Sequence, residues 1–228
     1  MRIAEIYQSL QGEGRFTGVP SVFVRASGCN LRCSFCDTPF ASWSPEGDDC
    51  SVDEITAEVA QHSAAHVVIT GGEPMLFAEM IPLTQSLHAL GKFITIETAG
   101  TLFLPVVCDL MSISPKLANS TPARELAGTW NDRHQRSRHQ PEVIRRLVGE
   151  YEYQMKFVIG TPADCEEVEA YLDDFPQIPF DRVWLMPLGV ELDKLQAIAA
   201  WLEPYCLQQG YHFCPRKHIE WFGMTRGT

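Results

Sequence analysis

Long apolar runs are missing from this sequence. No stretch reaches the roughly 18–20 apolar residues that cross a bilayer, and the opening "MRIAEIYQSLQGEG" lacks the unbroken apolar segment of a secretory signal. A soluble, cytoplasmic protein with no membrane partner is expected. Positive charge is also scarce, with 18 Lys and Arg against 29 Asp and Glu and a formal net charge of −11. That balance opposes nonspecific binding to a phosphate backbone, so no nucleic-acid partner is expected. Internal repeats and low-complexity tracts are absent as well. One local exception to the charge balance, "NDRHQRSRHQPEVIRR" (131–146), reads either as a solvated mobile loop or as an anion site.

What is present suits a well-packed chain. Of 228 residues, 45% are hydrophobic and 10% aromatic, enough for a substantial core. Short runs rich in Val, Ile and Phe, bounded by Gly, Pro or polar clusters, predict strands at 3–7, 21–26, 66–70, 92–98, 106–114, 153–160, 182–187 and 211–215. Helical patterns fall between them, at 51–64, 75–90, 141–151, 163–175 and 191–210. Ser51 with Glu54 three residues on is a capping-box signature. Strands alternating with helices imply parallel βα units. A complete eightfold barrel of roughly 250 residues would be tight, so the expected fold is α/β, a partial, open TIM-like βα barrel. The expected organisation is one domain over 1–228 with an irregular insertion at about 117–140.

Eight cysteines in such a chain favour metal or redox chemistry over disulfides. Cys29, Cys33 and Cys36 crowd into "GCNLRCSFCDTPF", whereas Cys50, Cys108, Cys165, Cys206 and Cys214 are scattered and read as buried small hydrophobes. A structural zinc site wants four ligands, commonly two separated pairs, and no second knuckle follows here. Three thiolates on a four-iron cluster would leave one iron open, which suits catalysis. "GGEP", "ETAGT", "SPK" and the cysteine loop each follow a predicted strand, so four strand ends face one presumed site, as ligands do in parallel βα folds.

"CNLRCSFC" resembles the C-x3-C-x2-C signature of the radical S-adenosylmethionine enzymes, and "TGGEP" (70–74) resembles that family's glycine-rich element. "LQGEGRFTGVPSVFVRASGCNLRCSFCDT", followed in order by "TGGEP", "ETAGT" and "SPK", is similar to one branch, the 7-carboxy-7-deazaguanine synthases of queuosine and deazapurine biosynthesis. The resemblance runs from Leu10 to Lys116 and more loosely beyond. It implies a lyase that turns 6-carboxy-5,6,7,8-tetrahydropterin into 7-carboxy-7-deazaguanine with loss of ammonia. It also implies a [4Fe–4S] cluster, S-adenosylmethionine and Mg²⁺ as cofactors, a 5′-deoxyadenosyl radical as the abstracting species, a flavodoxin- or ferredoxin-type reductant, and a homodimer. Two alternatives stand beside it: a glycyl-radical activating enzyme, which acts on a protein, and a zinc-binding interaction module.

Carried over residue by residue, the resemblance gives the cluster to Cys29, Cys33 and Cys36. S-adenosylmethionine falls to Phe35, Cys36, Asp37, Gly72, Glu73, Glu97, Ser114, Pro115, Lys116 and the segment Met186, Pro187, Leu188 and Gly189. Met186 departs from the family's habit of a Gln before that proline. The substrate falls to Leu10, Gln11, Gly12, Glu13, Arg25 and Thr70, and Mg²⁺ to Thr38. In chemical terms, Gly71 and Gly72 let a ligand approach the backbone, Glu73 sets negative charge beside an ammonium, and Lys116 sets positive charge beside a carboxylate. Arg25, among the apolar neighbours of "SVFVRAS", needs a partner, either the substrate's carboxylate or an internal Asp or Glu. His212, Arg216, Lys217 and His218 lie where family members close the pocket.

Overall fold

The computed structural model describes all residues, 1–228, and places nine strands in one sheet. In chain order these are β1 (Arg2–Leu10), β2 (Pro20–Ala26), β3 (Asp48–Asp49), β4 (His66–Gly71), β5 (Phe93–Thr98), β6 (Leu110–Ile113), β7 (Tyr153–Ile159), β8 (Val183–Pro187) and β9 (His212–Phe213). Their spatial order is β3-β1-β2-β4-β5-β6-β7-β8-β9. From β2 to β9 every pairing is parallel, and β1 joins β2 and β3 antiparallel. β3 and β9 do not pair with each other, so the barrel stays open, as the sequence predicts.

The helices are α1 (Val52–Gln61), α2 (Met80–Ala89), α3 (Arg124–Ala127), α4 (Thr129–Ser137), α5 (Pro141–Glu150), α6 (Pro162–Asp173), α7 (Leu192–Gln209) and α8 (Lys217–Phe222). Ser51 caps α1 through the expected box, accepting from the Glu54 N–H while the Glu54 carboxylate accepts from Ser51 N–H. Three expectations are corrected. α2 starts at Met80, not at residue 75, because Pro82 fits only a first turn; a 3-10 turn, Pro74–Leu76, precedes it. The strand expected at 106–114 pairs only over Leu110–Ile113, since the Asp109 carboxylate takes the Ile94 N–H at 2.7 Å. The insertion expected to be irregular at 117–140 is largely helical, with α3 and α4 meeting at Gly128 in a positive-φ conformation. No helix is long and apolar enough to cross a membrane.

Period-two alternation along the strands separates the core from the site. One face of each strand, carrying Val22, Val24, Val67, Ile69, Ile94, Ile96, Met111, Ile113, Met155, Phe157, Val183 and Leu185, packs under the helices. The opposite face carries Arg25, Thr70, Glu97, Ser112, Lys156 and Met186. Register aligns them: Arg25 is opposite Thr70, and Glu97 is opposite Ser112. One apolar face per strand thus secures the fold and leaves a ring of polar groups pointing inward.

Candidate active site

A cavity of about 700 Å³ opens on the inward ring at the carboxyl ends of the strands. It gathers residues from far apart in the chain: the loop after β1 (Leu10, Gln11, Gly12, Glu13), Arg25, the cysteine loop (Cys29, Cys33, Phe35, Cys36, Asp37, Thr38), Thr70, Gly72, Glu97, Ser114, Lys116, Met186 and Gly189. The convergence of strand ends expected from sequence is therefore observed. Pro115, Pro187, Leu188 and Glu73 are not among the lining residues.

Glu73 is fully buried and works inside the wall. Its carboxylate accepts from Ala99 N–H at 2.8 Å, Thr98 Oγ1–H at 2.8 Å and Met75 N–H at 3.1 Å. Burial pushes its carboxyl above the ordinary value, and those donors pull against the rise. Through these bonds the Glu73 side chain ties the β4 and β5 loops together. The glycines beside it line the cavity and also serve the packing of the wall. A Cβ on Gly72 would sit 2.0 Å from the Gly28 carbonyl oxygen, and one on Gly71 2.0 Å from that of Ala26. Gly71 also has φ +124°, which favours glycine. Their missing side chains let the cysteine loop dock on β4: Glu73 N–H donates to Gly28 O, and Gly28 N–H to Ala41 O.

The cysteine loop is held from inside and outside. Trp43 Nε1 donates to Cys33 O at 3.0 Å, and Leu31 N–H points at Cys29 Sγ at 3.4 Å. Outside, Ser34 N–H donates to Ser120 O, and Arg32 N–H donates to His134 Nδ1 at 3.2 Å. His134 Nε2–H is then left to donate to Ser120 Oγ at 2.9 Å, whose own proton goes to Leu117 O at 2.6 Å. This chain requires a neutral imidazole. Burial, with Arg138 and Lys116 nearby, brings His134 down to about 4. The Arg32 guanidinium lies 4.0 Å above the Trp130 ring. Helix α4 therefore braces the loop, a role that a polar, charged segment does not advertise.

The donor set fits an iron–sulfur cluster. Burial pushes Cys29 up to about 12 and Cys33 up to about 11, and a bound cationic group would favour their thiolates. All eight cysteines are free; Cys165, Cys206 and Cys214 are buried as expected, while Cys50 and Cys108 are only half-buried. Thr38 Oγ1 lies 3.9 Å from Cys36 Sγ on the cavity wall.

Deeper in, charges interlock. Lys156 Nζ donates to Glu13 Oε2 at 2.5 Å and lies 3.5 Å from Glu97 Oε1. Glu97 also accepts from Thr70 Oγ1 at 2.8 Å and Gln11 Nε2 at 3.3 Å. Arg216 Nε donates to Glu13 at 3.2 Å, its NH1 to Gly189 O, and its NH2 to the Asp37 carboxylate. Asp37 is thus paired within the chain. Of the C-terminal candidates, Arg216 and His218 line the cavity, while His212 and Lys217 do not. Gly12 abuts His218, whose Nδ1 would be 2.5 Å from a Cβ there. Lys156 went unnoticed in the sequence, although one lysine inside the apolar run "YQMKFVIG" poses the question that Arg25 does. Arg25 itself has the internal partner: Nε pairs with Glu5 Oε1 at 2.7 Å and NH2 donates to Tyr7 Oη at 2.9 Å. Lys116 Nζ donates to Ser114 Oγ at 2.8 Å.

Known proteins agree with this arrangement. The Radical SAM superfamily matches residues 23–117. A 7-carboxy-7-deazaguanine synthase of Rhodopirellula baltica is 42% identical over 99% of this chain and 88% of its own. Another, of Halobacterium salinarum, is 42% identical over 95% of this chain and 88% of its own. The crystal structure of QueE from Escherichia coli superposes with a TM-score of 0.71 at 26% identity, covering 95% of this chain and 94% of that one. Near-full-length identity at this level, on a fold that brings three cysteines and the "LQGEG" loop to one cavity, decides between the alternatives left open by the sequence: the chain belongs to the 7-carboxy-7-deazaguanine synthase family of radical S-adenosylmethionine enzymes.

Proposed function

We propose that the chain converts 6-carboxy-5,6,7,8-tetrahydropterin to 7-carboxy-7-deazaguanine and ammonia, a sum that is redox-neutral. The observation that carries this reading is the shared cavity, which Cys29, Cys33 and Cys36 line together with Gln11, Glu13 and Arg25. A [4Fe–4S] cluster on the three thiolates, with S-adenosylmethionine, supplies radical chemistry at C6 of the substrate. The chain's own residues bind and orient.

Lys116, bonded to Ser114 and lining the cavity beside the cysteines, offers a cation to the cofactor's carboxylate. Phe35, Met186 and Gly189 supply walls for the nucleoside. Glu97, anchored by Thr70, Gln11 and Lys156, retains lone pairs for a hydroxyl donor. Arg25 offers its remaining N–H groups to the substrate's carboxylate, with Glu5 and Tyr7 fixing the guanidinium plane. Leu10, Gln11, Gly12 and Glu13 frame the pterin edge, and Thr38 offers a hydroxyl to Mg²⁺, which usually keeps several waters. Glu73, Gly71, Pro115, Pro187 and Leu188 act by shaping the wall. The same reading brings a homodimer, a cytoplasmic setting and a one-electron flavodoxin- or ferredoxin-type reductant.

The test is anaerobic turnover of the reconstituted protein with carboxypterin, S-adenosylmethionine, Mg²⁺ and dithionite. A deazapurine carboxylate is expected by mass spectrometry. A fully iron-loaded protein that cleaves S-adenosylmethionine yet leaves the pterin intact would refute the assignment.

A further inference from the structure

The reading above needs an electron from outside, and the molecule carries one surface suited to receive its bearer. Seven of the 18 Lys and Arg lie within residues 116–146, against three acidic residues, in a chain whose net charge is −11. The basic stretch is the one expected to be either a mobile loop or an anion site; it is not a loop, since it forms α4 and α5. On α4 the exposed Arg133 and Arg136 have no carboxylate partner, whereas Arg124 of α3 pairs with Asp132. Leu126 is 84% exposed beside them in sequence, and the half-buried Trp130 ring lies between the Arg32 and Arg133 guanidiniums, at 4.0 and 5.3 Å. An exposed leucine on α3, and on α4 an aromatic ring with two arginines that lack carboxylate partners, are the composition of a docking surface for a negatively charged protein.

Its position gives the purpose. Arg32 belongs to the cysteine loop, one residue before Cys33, and its N–H is held by His134 of the same helix. A partner seated on α4 therefore sits against the outer side of the loop, opposite the cavity that takes substrate. We propose that the α3–α4 face docks an acidic one-electron carrier protein. The carrier is oxidised by one electron and the cluster is reduced by one, with no bond made or broken. A nucleic acid fits less well, because the surface lies against the redox loop and the rest of the chain is strongly acidic. The proposal rests on the radical S-adenosylmethionine reading.

The test uses the reconstituted holoenzyme, reduced flavodoxin as the carrier and dithionite as a reductant that needs no docking. The double variant Arg133→Glu/Arg136→Glu should slow cluster reduction by flavodoxin about tenfold at low salt and flatten its salt dependence. It should also weaken flavodoxin binding measured by calorimetry to a similar extent. Dithionite-driven turnover should stay within about twofold of wild type. The control Arg145→Glu/Arg146→Glu changes net charge equally on α5 and should slow the flavodoxin reaction much less. Equal slowing by both variants, unchanged flavodoxin rates in the first, or transfer-RNA binding lost with the arginines while flavodoxin rates hold would each overturn the proposal. Failure of wild-type turnover with dithionite would instead count against the proposed function.

Discussion

Lys156 Nζ and Glu13 Oε2 stand 2.5 Å apart, joining the middle of β7 to a loop 143 residues earlier. Both side chains are nearly buried, and Glu97 lies on the other side of the same ammonium. Removing one partner of a buried pair costs about 3–5 kcal/mol where the other charge is left uncompensated; here Glu13 keeps Arg216 at 3.2 Å, whereas Glu97 loses the ammonium 3.5 Å away. Lys156→Met should therefore lower stability by about 3 kcal/mol in urea unfolding and release the "LQGEG" loop. The KM for the pterin should rise more than kcat falls, since Lys156 orders groups that bind the substrate. Lys156→Met with wild-type stability and KM would show the pair to be incidental.

The cysteine loop depends on atoms that touch no iron. A Cβ at Gly72 would press on Gly28 O at 2.0 Å and Ala41 O at 2.5 Å, both backbone atoms. Gly72→Ala should cut iron bound per chain after reconstitution to well under half of wild type. Gly149, inside α5, meets nothing within 4 Å, so Gly149→Ala should load normally and gain about 0.5–1 kcal/mol. Iron and sulfide analysis of the two variants checks this directly.

Helix α4 introduces a pH dependence. Burial, Arg138 and Lys116 bring His134 down to about 4, whereas an unfolded histidine titrates near 6.5. Between these values the unfolded chain binds more protons, so stability is present above about pH 6.5 and drains away as pH falls toward 4. Unfolding of the apoprotein measured across pH 4–7 should show this slope, and His134→Gln should flatten it. A variant with the wild-type slope would place the acid sensitivity elsewhere.

Legibility from sequence followed the range of the interactions. The Ser51–Glu54 box is local, and so was read correctly. Cys29, Cys33 and Cys36 were legible because their spacing has few other uses. Helix α4 was missed because what holds it lies a hundred residues away, in Arg32, which meets His134 and Trp130 of the helix. Lys156 was legible in principle: along "YQMKFVIG", Gln154, Lys156 and Val158 share a face, and Met155, Phe157 and Ile159 share the other. A polar side in an otherwise buried strand marks the interior of a barrel. That the Glu73 side chain is held by Thr98, Ala99 and Met75 was not legible, because a ligand-facing residue and a wall-building one carry the same motif.

Arg25 tests where substrate recognition begins. Its Nε is fixed by Glu5 and one NH2 hydrogen by Tyr7 Oη, so the remaining N–H groups are presented to the cavity in a set plane. A planar fork matches a carboxylate through two parallel hydrogen bonds, which an ammonium cannot reproduce. Arg25→Lys keeps the charge near Glu5 but loses the fork, and charge-assisted hydrogen bonds contribute about 1.5–3 kcal/mol each. The kcat/KM for the carboxypterin should fall about a hundredfold, carried by KM, with S-adenosylmethionine binding unchanged by calorimetry. Glu5→Gln frees the guanidinium to turn while leaving it charged, so a smaller loss, about fivefold, is expected. If Arg25→Lys instead left KM intact, Arg25 would be only the partner of Glu5, and the substrate's carboxylate would bind at another cation of the cavity, with Lys116 the first to examine.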